Sequence, residues 1–487
     1  MSTVTEPSLR RGSVPFLGVL AQSVAHIGPS AAIALFVGFV VGETGSNTWL
    51  TFAVTTVIML MVGYCISHFT RRLANTGDLY GFSTKGGGAG AGIVTAWAQL
   101  LFGIVTAQAG IIIFGLYLAD LLTNAGVPNN RGFLALWFLL CSAGTWWITY
   151  RDVRLSARFM LAIEAFSLLV ILFLLVLTLF KHQGSIFDTQ QLKLSGFSVH
   201  KTLLGTVLIV FAFSGFESST IFGQEAKHPT RSITQALVGS VGLVGLLFVF
   251  SAYVMYMGFE GTKYNLATSA SPLADLATIE GVAPFRYVIF AGVAISIFSV
   301  VAAVLNSTSR LMFTLSREGL MPPAFSRLGK RTLTPVVGLG VMTAINVVTA
   351  AILLLINQSN LTVYGYFSSF AGYGAILAYL IVSLAALGYL YKLGKLRPNH
   401  VVVGLIAAAA LGYVFYASLV PVQAAPFDWL IYSFFGTVVI VAIVYAVLAA
   451  RRSPALARVG SSVDKDTAAE QADELQEADT ARELGGV

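Results

Sequence analysis

Charge is what this chain has least of. Asp, Glu, Lys and Arg make up only 10% of its 487 residues, against about 25% in soluble domains. With 56% hydrophobic residues and a mean hydropathy of +0.80, that scarcity excludes an ordinary soluble domain. Cysteine is nearly missing too. Cys65 and Cys141 both sit in apolar runs, so they offer neither a disulfide nor a metal framework. No nucleophile–base set, metal cluster or nucleotide fingerprint can be assembled, so neither an enzyme nor a cofactor or metal is expected. Gly86–Gly92 (GGGAGAG) lacks the following Lys-Ser/Thr and the strand–helix setting of a phosphate loop; close helix packing explains it better. A cleavable signal is not expected either, because the first apolar run is too long and leads straight into another. The formal net charge of +7 reads as basic loops beside a membrane, not as a nucleic-acid surface.

What the chain has instead is a succession of long charge-free runs. Each is enough to cross a hydrocarbon core about 30 Å thick. The expected fold is an all-α polytopic membrane protein with about 12 transmembrane helices. The spans fall near 14–41, 48–68, 89–118, 132–150, 156–180, 201–224, 233–258, 286–317, 335–356, 362–390, 400–420 and 428–450. Residues 1–13 form a polar tail, 14–391 a ten-helix core, 398–450 two further helices, and 451–487 a tail expected to be disordered. Lys and Arg concentrate in the loops after the even-numbered spans, which predicts a multi-pass protein of the cell membrane with both termini cytoplasmic.

Two spans are interrupted. In the first, LGVLAQSVAHIGPSAAIALFVGF, Gly28 and Pro29 follow His26 at membrane depth. Glycine tolerates dihedrals that other residues avoid, and proline lacks an N–H but suits the first position of a new helix. The helix is expected to stop near His26 and restart at Pro29, aiming the N–H groups of Ser30, Ala31 and Ala32 at an anion such as a carboxylate. In the sixth, Phe213-Ser214-Gly215-Phe216-Glu217 places a glycine and a carboxylate at similar depth. An ionisable group there marks a pathway, relay or site by default, the alternative being a kink with Glu217 paired to a neighbouring helix. Breaks in spans 1 and 6 are what two inverted five-helix repeats (about 14–180 and 201–391) would give, with the substrate site between them.

Three stretches then make the chain recognisable. Phe211–Ser219 with Gly223–Ile233 (GQEAKHPTRSI), Asn306–Leu320 (NSTSRLMFTLSREGL) with Pro322 and Thr334-Pro335, and Thr76–Tyr80 (TGDLY) resemble motifs of the amino acid–polyamine–organocation (APC) superfamily. The resemblance implies a LeuT-like permease core with discontinuous helices 1 and 6. Carried over by position, it implies substrate contacts from Ala25, His26, Ile27, Gly28, Ser30 and Ala31 in span 1, and from Phe211, Ser214, Gly215 and Phe216 in span 6. Phe211 stands where the family often has an aromatic gate. Glu217 matches a carboxylate that some proton-sensitive members use in coupling. Where many members have Gly-Ser-Gly, this chain has Gly28-Pro29-Ser30 preceded by His26, which leaves the substrate's identity open.

Other polar residues fall within the apolar spans. Histidine's ordinary pKa of about 6.5 would let His26 switch charge and share in proton coupling; equally, it could stay neutral and bond a freed carbonyl. Glu164, soon after Arg158, reads as half of a structural ion pair near the inner surface. Gln99, Gln108, Ser296, Ser299 and Asn306 either line the pathway or bond between helices; Ser296 and Ser299 on span 8 are also candidates to hold sodium beside span 1, for which two hydroxyls with no nearby carboxylate are weak evidence. The expected function is a secondary transporter moving amino acids or related amines across the cell membrane by alternating access, coupled to protons. The alternatives are a polyamine or organic-cation carrier, and a nutrient-sensing receptor that keeps the core but carries nothing.

Overall fold

A bilayer core offers no water to backbone N–H and C=O groups, so each must be paired inside its own segment. The described residues are accordingly almost all helical. The computed structural model describes residues 12, 14–74, 77–127, 130–151, 153–182, 187–223, 225–355, 360–420, 427–463 and 467. In chain order the helices are α1 (Phe16–Ile27), α2 (Pro29–Thr44), α3 (Thr48–Thr70), α4 (Asp78–Asn124), α5 (Arg131–Arg151), α6 (Val153–Lys181), α7 (Thr189–Leu192) and α8 (Val199–Phe213). They continue with α9 (Pro229–Phe259), α10 (Pro272–Ile279), α11 (Arg286–Arg317), α12 (Val336–Leu355), α13 (Asn360–Lys392), α14 (Pro398–Leu419), α15 (Phe427–Ala450) and α16 (Pro454–Arg458).

Among the described residues, 11 stretches are long and apolar enough to cross a membrane. The first, Phe16–Thr70, runs 55 residues, whereas one crossing needs about 20. A short 3₁₀ turn at Gly45–Asn47 divides it, so the chain makes about twelve crossings, as composition leads one to expect. The first five end with α6 and the second five, opening on α8, end with α13.

Helix α4 is 47 residues long and bends at Gly88, where φ is 85°; the expected third span begins one residue later. Just before the bend, a Cβ on Gly86 would lie 1.9 Å from the carbonyl oxygen of Ala385 on α13. The glycine run therefore lets two backbones touch, which is a packing role.

The first and last described segments lie at the same end of the bundle. Val14 pairs with Ala226 in an isolated parallel bridge, its N–H donating to the Glu225 carbonyl at 2.7 Å. Beyond residue 451, where disorder was expected, the chain forms α16 and then packs onto the bundle as far as Val463, which is buried. Residues 1–11 and 468–487 lie outside the described residues, as do the side chains of Arg154 and Arg158.

Candidate functional site

The first break follows from Gly28. Its φ of 58° and ψ of 59° put it in the left-handed region, where only glycine sits without strain. It ends α1, and Pro29 starts α2 at the position where a missing N–H costs nothing. Space makes the same demand, since a Cβ on Gly28 would stand 2.2 Å from Val300 Cγ2. The second break follows the same logic. Ser214 is extended, Gly215 has φ of 102°, and the chain continues as a 3₁₀ segment, Phe216–Phe222.

Each break satisfies the other. The Ser23 hydroxyl donates to the Phe216 carbonyl at 2.7 Å, and the Ser218 hydroxyl donates to the Gln22 carbonyl at 3.2 Å. His26 packs directly on Gly215. Irregular backbone at membrane depth is thus buried in protein and paired.

On one side of His26 lies a cavity of about 50 Å³. Of the span residues singled out in the sequence, His26, Ile27, Gly28, Ala31, Phe211 and Ser214 line it; Ala25, Ser30, Gly215 and Phe216 do not. Sequence reasoning missed the aromatic wall formed by Phe36, Phe102 and Tyr364. Phe36 meets Phe211 edge to face with ring centroids 5.7 Å apart, and Phe102 stacks on His26 at 5.9 Å. None of the described lining residues carries a carboxylate. Both His26 ring nitrogens and the Thr106 hydroxyl are buried without hydrogen-bond partners, so His26 does not bond a freed carbonyl. These are groups that a polar ligand could engage.

On the other side of His26 is a smaller space of about 10 Å³, lined by Asp78, Gln99, Glu217 and Ser307 among others. Glu217 Oε2 accepts from the Tyr379 hydroxyl at 2.7 Å and from the Gly215 N–H at 3.1 Å. Its partner hydroxyl sits on α13, so the carboxylate joins the second break to a neighbouring helix. His26 therefore separates an apolar chamber from an acidic one.

Glu164 requires a correction. It is not an ion pair near a surface. It is fully buried, and its Oε1 accepts the Ser30 N–H at 2.8 Å. A helix N-terminus leaves donors unpaired and carries positive partial charge, and a carboxylate suits both. The Ser30 N–H expected to meet a ligand thus meets Glu164. The hydroxyls of Ser30 and Ser296 face the same carboxyl, and both hydroxyls and Glu164 Oε2 lack hydrogen-bond partners. The other weighed polar residues bond within the bundle: Gln99 accepts the Tyr80 N–H at 3.0 Å, and Gln108 donates to Thr349 at 2.7 Å. Asn306 donates to Gln22 at 3.0 Å, and Ser299 donates to its own helix at Ile295.

The three motif stretches meet at the end of the bundle that carries both terminal segments. Arg310 and Glu225 form a buried salt bridge of 3.0 Å. The Thr220 hydroxyl donates to Asp78 at 2.7 Å, and the Tyr80 hydroxyl donates to Glu318. The first two contacts hold the 3₁₀ segment after the second break, and the turn that follows it, against α4 and α11.

The chain is 25% identical over 396 residues to human (Homo sapiens) cationic amino acid transporter 4, covering 78% of this chain and 59% of that protein. It is thus matched to about three fifths of that relative's length. It is 20% identical over 399 residues to the low-affinity putrescine importer PlaP of Escherichia coli, covering 80% of this chain and 84% of that one. A D-serine/D-alanine/glycine transporter of Escherichia coli is 30% identical over 207 residues, covering 42% of this chain and 41% of that one. Among solved structures, MhsT in complex with L-phenylalanine superposes with a TM-score of 0.59 at 14% identity, covering 82% of this chain and 98% of that one. That likeness establishes a LeuT-like fold. The family model described as amino acid permease matches residues 12–447, and the chain belongs to that family, within the APC superfamily.

Proposed function

We propose that this chain is a secondary transporter of the cell membrane, with both termini cytoplasmic, that carries amino acids by alternating access. The observation that carries this reading is the pair of breaks bound to each other around one cavity, Ser23 to Phe216 and His26 against Gly215. In this arrangement a solute is held at the midplane while one group of helices rocks against the other. The names of the relatives, amino acid and amine transporters, support the same solute class. The apolar, aromatic wall and its lack of a carboxylate among described lining residues favour a zwitterion with an uncharged side chain over a cation.

The coupling ion in this reading is the proton, taken up by Glu217 with His26 as the neighbouring titratable group; Glu164 is a second buried carboxyl that faces the first break. A polyamine carrier is the second reading, supported by Asp78 and Glu217 lining one small space. A receptor that carries nothing is separated from both by counterflow. Purified protein in liposomes loaded with unlabelled amino acid should accumulate the labelled form. Binding detected by thermal shift without counterflow would overturn transport, and counterflow with putrescine alone would favour the second reading.

A further inference from the structure

Glu318 follows the last residue of α11 and is 1% exposed. A buried carboxylate must find donors, and here four come from 142 or more residues away. The Gly460 N–H reaches Oε2 at 2.8 Å and the Ser462 N–H reaches Oε1 at 3.0 Å. The Ser462 hydroxyl donates to Oε1 as well, and the Tyr80 hydroxyl on α4 donates to Oε2. The chain after α16 thus lies across the ends of α4 and α11. Val459 packs with Tyr80, Leu311 and Leu315, and Ser462 and Val463 are buried. Gly460 has φ of 78°, and a Cβ there would stand 2.6 Å from Thr84 Cγ2. Farther on, the Thr467 hydroxyl accepts the Ala74 N–H at 3.2 Å. Ala74 lies in the segment that leaves α3.

The attachment points fall on helices with different main neighbours. Helix α3 packs most closely on α9, with further contacts to α8, α13 and α14, whereas α4 packs most closely on α13 and α11. We propose that Gly460, Ser462 and Val463, together with Thr467, strap these helices together and must detach before the central cavity opens toward this end. The bonds to Glu318 are charge-assisted, the stronger kind, and they are local, so a modest change at one residue releases them. The strap would make opening on this side a regulated step. The inference rests on the alternating-access reading given above.

The test uses the full chain with Ser307→Cys as a reporter, since Ser307 is buried and lines the space below His26. The native Cys65 and Cys141 are buried. Labelling by a membrane-impermeant maleimide, applied from the side bearing α16, is followed at position 307 by peptide mass spectrometry. Gly460→Val wedges the strap off Thr84, and Ser462→Asp sets a second negative charge against Glu318. Each should speed labelling by about fivefold or more, because labelling tracks the population of the open form. Joining Glu318→Cys to Ser462→Cys by oxidation should slow it, and reductant should reverse the effect. A chain ending at Arg458 removes the strap outright. Labelling of that chain at the parent's rate would overturn the proposal, as would its failure to fold together with both point variants. If alternating access itself is wrong, position 307 stays shielded in every folded variant; if only the strap is wrong, parent and variants label alike.

Discussion

His26 lies so close to Gly215 that a methyl group at 215 would stand 2.4 Å from the imidazole Cγ and Cδ2. Residues from the two interrupted helices thus fill one another's space, and the contact tolerates no side chain. Gly215→Ala meets two penalties: a left-handed backbone that costs an L-residue about 1–2 kcal/mol, and an imidazole that must move out of the cavity wall. The expected outcome is a lower melting temperature and loss of the ligand-induced thermal shift. Adding His26→Ala should relieve the second penalty and leave the first, so it recovers part of the stability. An unaltered thermal shift in Gly215→Ala would show that the contact does not shape the site.

The breaks were legible because their causes are local. Gly28-Pro29 and Ser214-Gly215 announce themselves through the backbone chemistry of single residues, and the lone carboxylate at 217 announces itself through its cost in an apolar run. Contacts between the breaks were not legible, since Ser23 and Phe216 are 193 residues apart and no periodicity links them. Glu164 was misread for a related reason. Six residues separate it from Arg158, which along a helix is about 9 Å, and that rise carries the carboxyl into the bundle to meet Ser30. The aromatic wall was hidden by abundance, since 34 phenylalanines give no reason to single out Phe36 or Phe102. Composition alone marked the tail after 451 as disordered, and composition says nothing of a carboxylate at 318 waiting for its amides.

The motif stretches that identify the family also close one end of the bundle, and Arg310 with Glu225 is their buried junction. Removing one member of such a pair leaves a charge without its partner, at a cost of about 3–5 kcal/mol. Arg310→Met is expected to lose that much in denaturant unfolding followed in detergent. Glu225→Gln in the same background should restore part of it, giving a coupling above about 0.5 kcal/mol. Strict additivity of the two changes would remove the pair from any role in holding the turn after the second break in place.

Glu217 bonds Tyr379 and Gly215 whether or not it takes part in proton movement, so structure and coupling need separate readouts. Glu217→Gln keeps a side-chain oxygen to accept both bonds but has no proton to exchange. For a proton symporter, uptake rises as the outside is acidified, because protons then run inward with the solute. The variant should exchange solute across the membrane at a rate near the parent's while its uptake becomes flat with external pH. Tyr379→Phe, which removes one donor, should shift the pH profile without flattening it. A Glu217→Gln profile that still rises on acidification would take the proton away from this residue.

Glu164 is then the next carboxyl to question. One of its oxygens holds Ser30 at the start of α2, the other has no hydrogen bond, and the hydroxyls of Ser30 and Ser296 face the carboxyl. A single carboxylate with two hydroxyls is a thin shell for a hard cation, which usually gathers about six oxygens, so a proton suits the group better than sodium. Glu164→Gln keeps an acceptor for the Ser30 N–H and should bind solute as the parent does. Glu164→Ala leaves that N–H buried and unpaired, at a cost of about 1–3 kcal/mol, and should lower the melting temperature. Replacing external sodium by choline should not change uptake in the parent or in Glu164→Gln. A sodium dependence in the parent that vanishes in Glu164→Gln would reassign both the coupling ion and the residue that receives it.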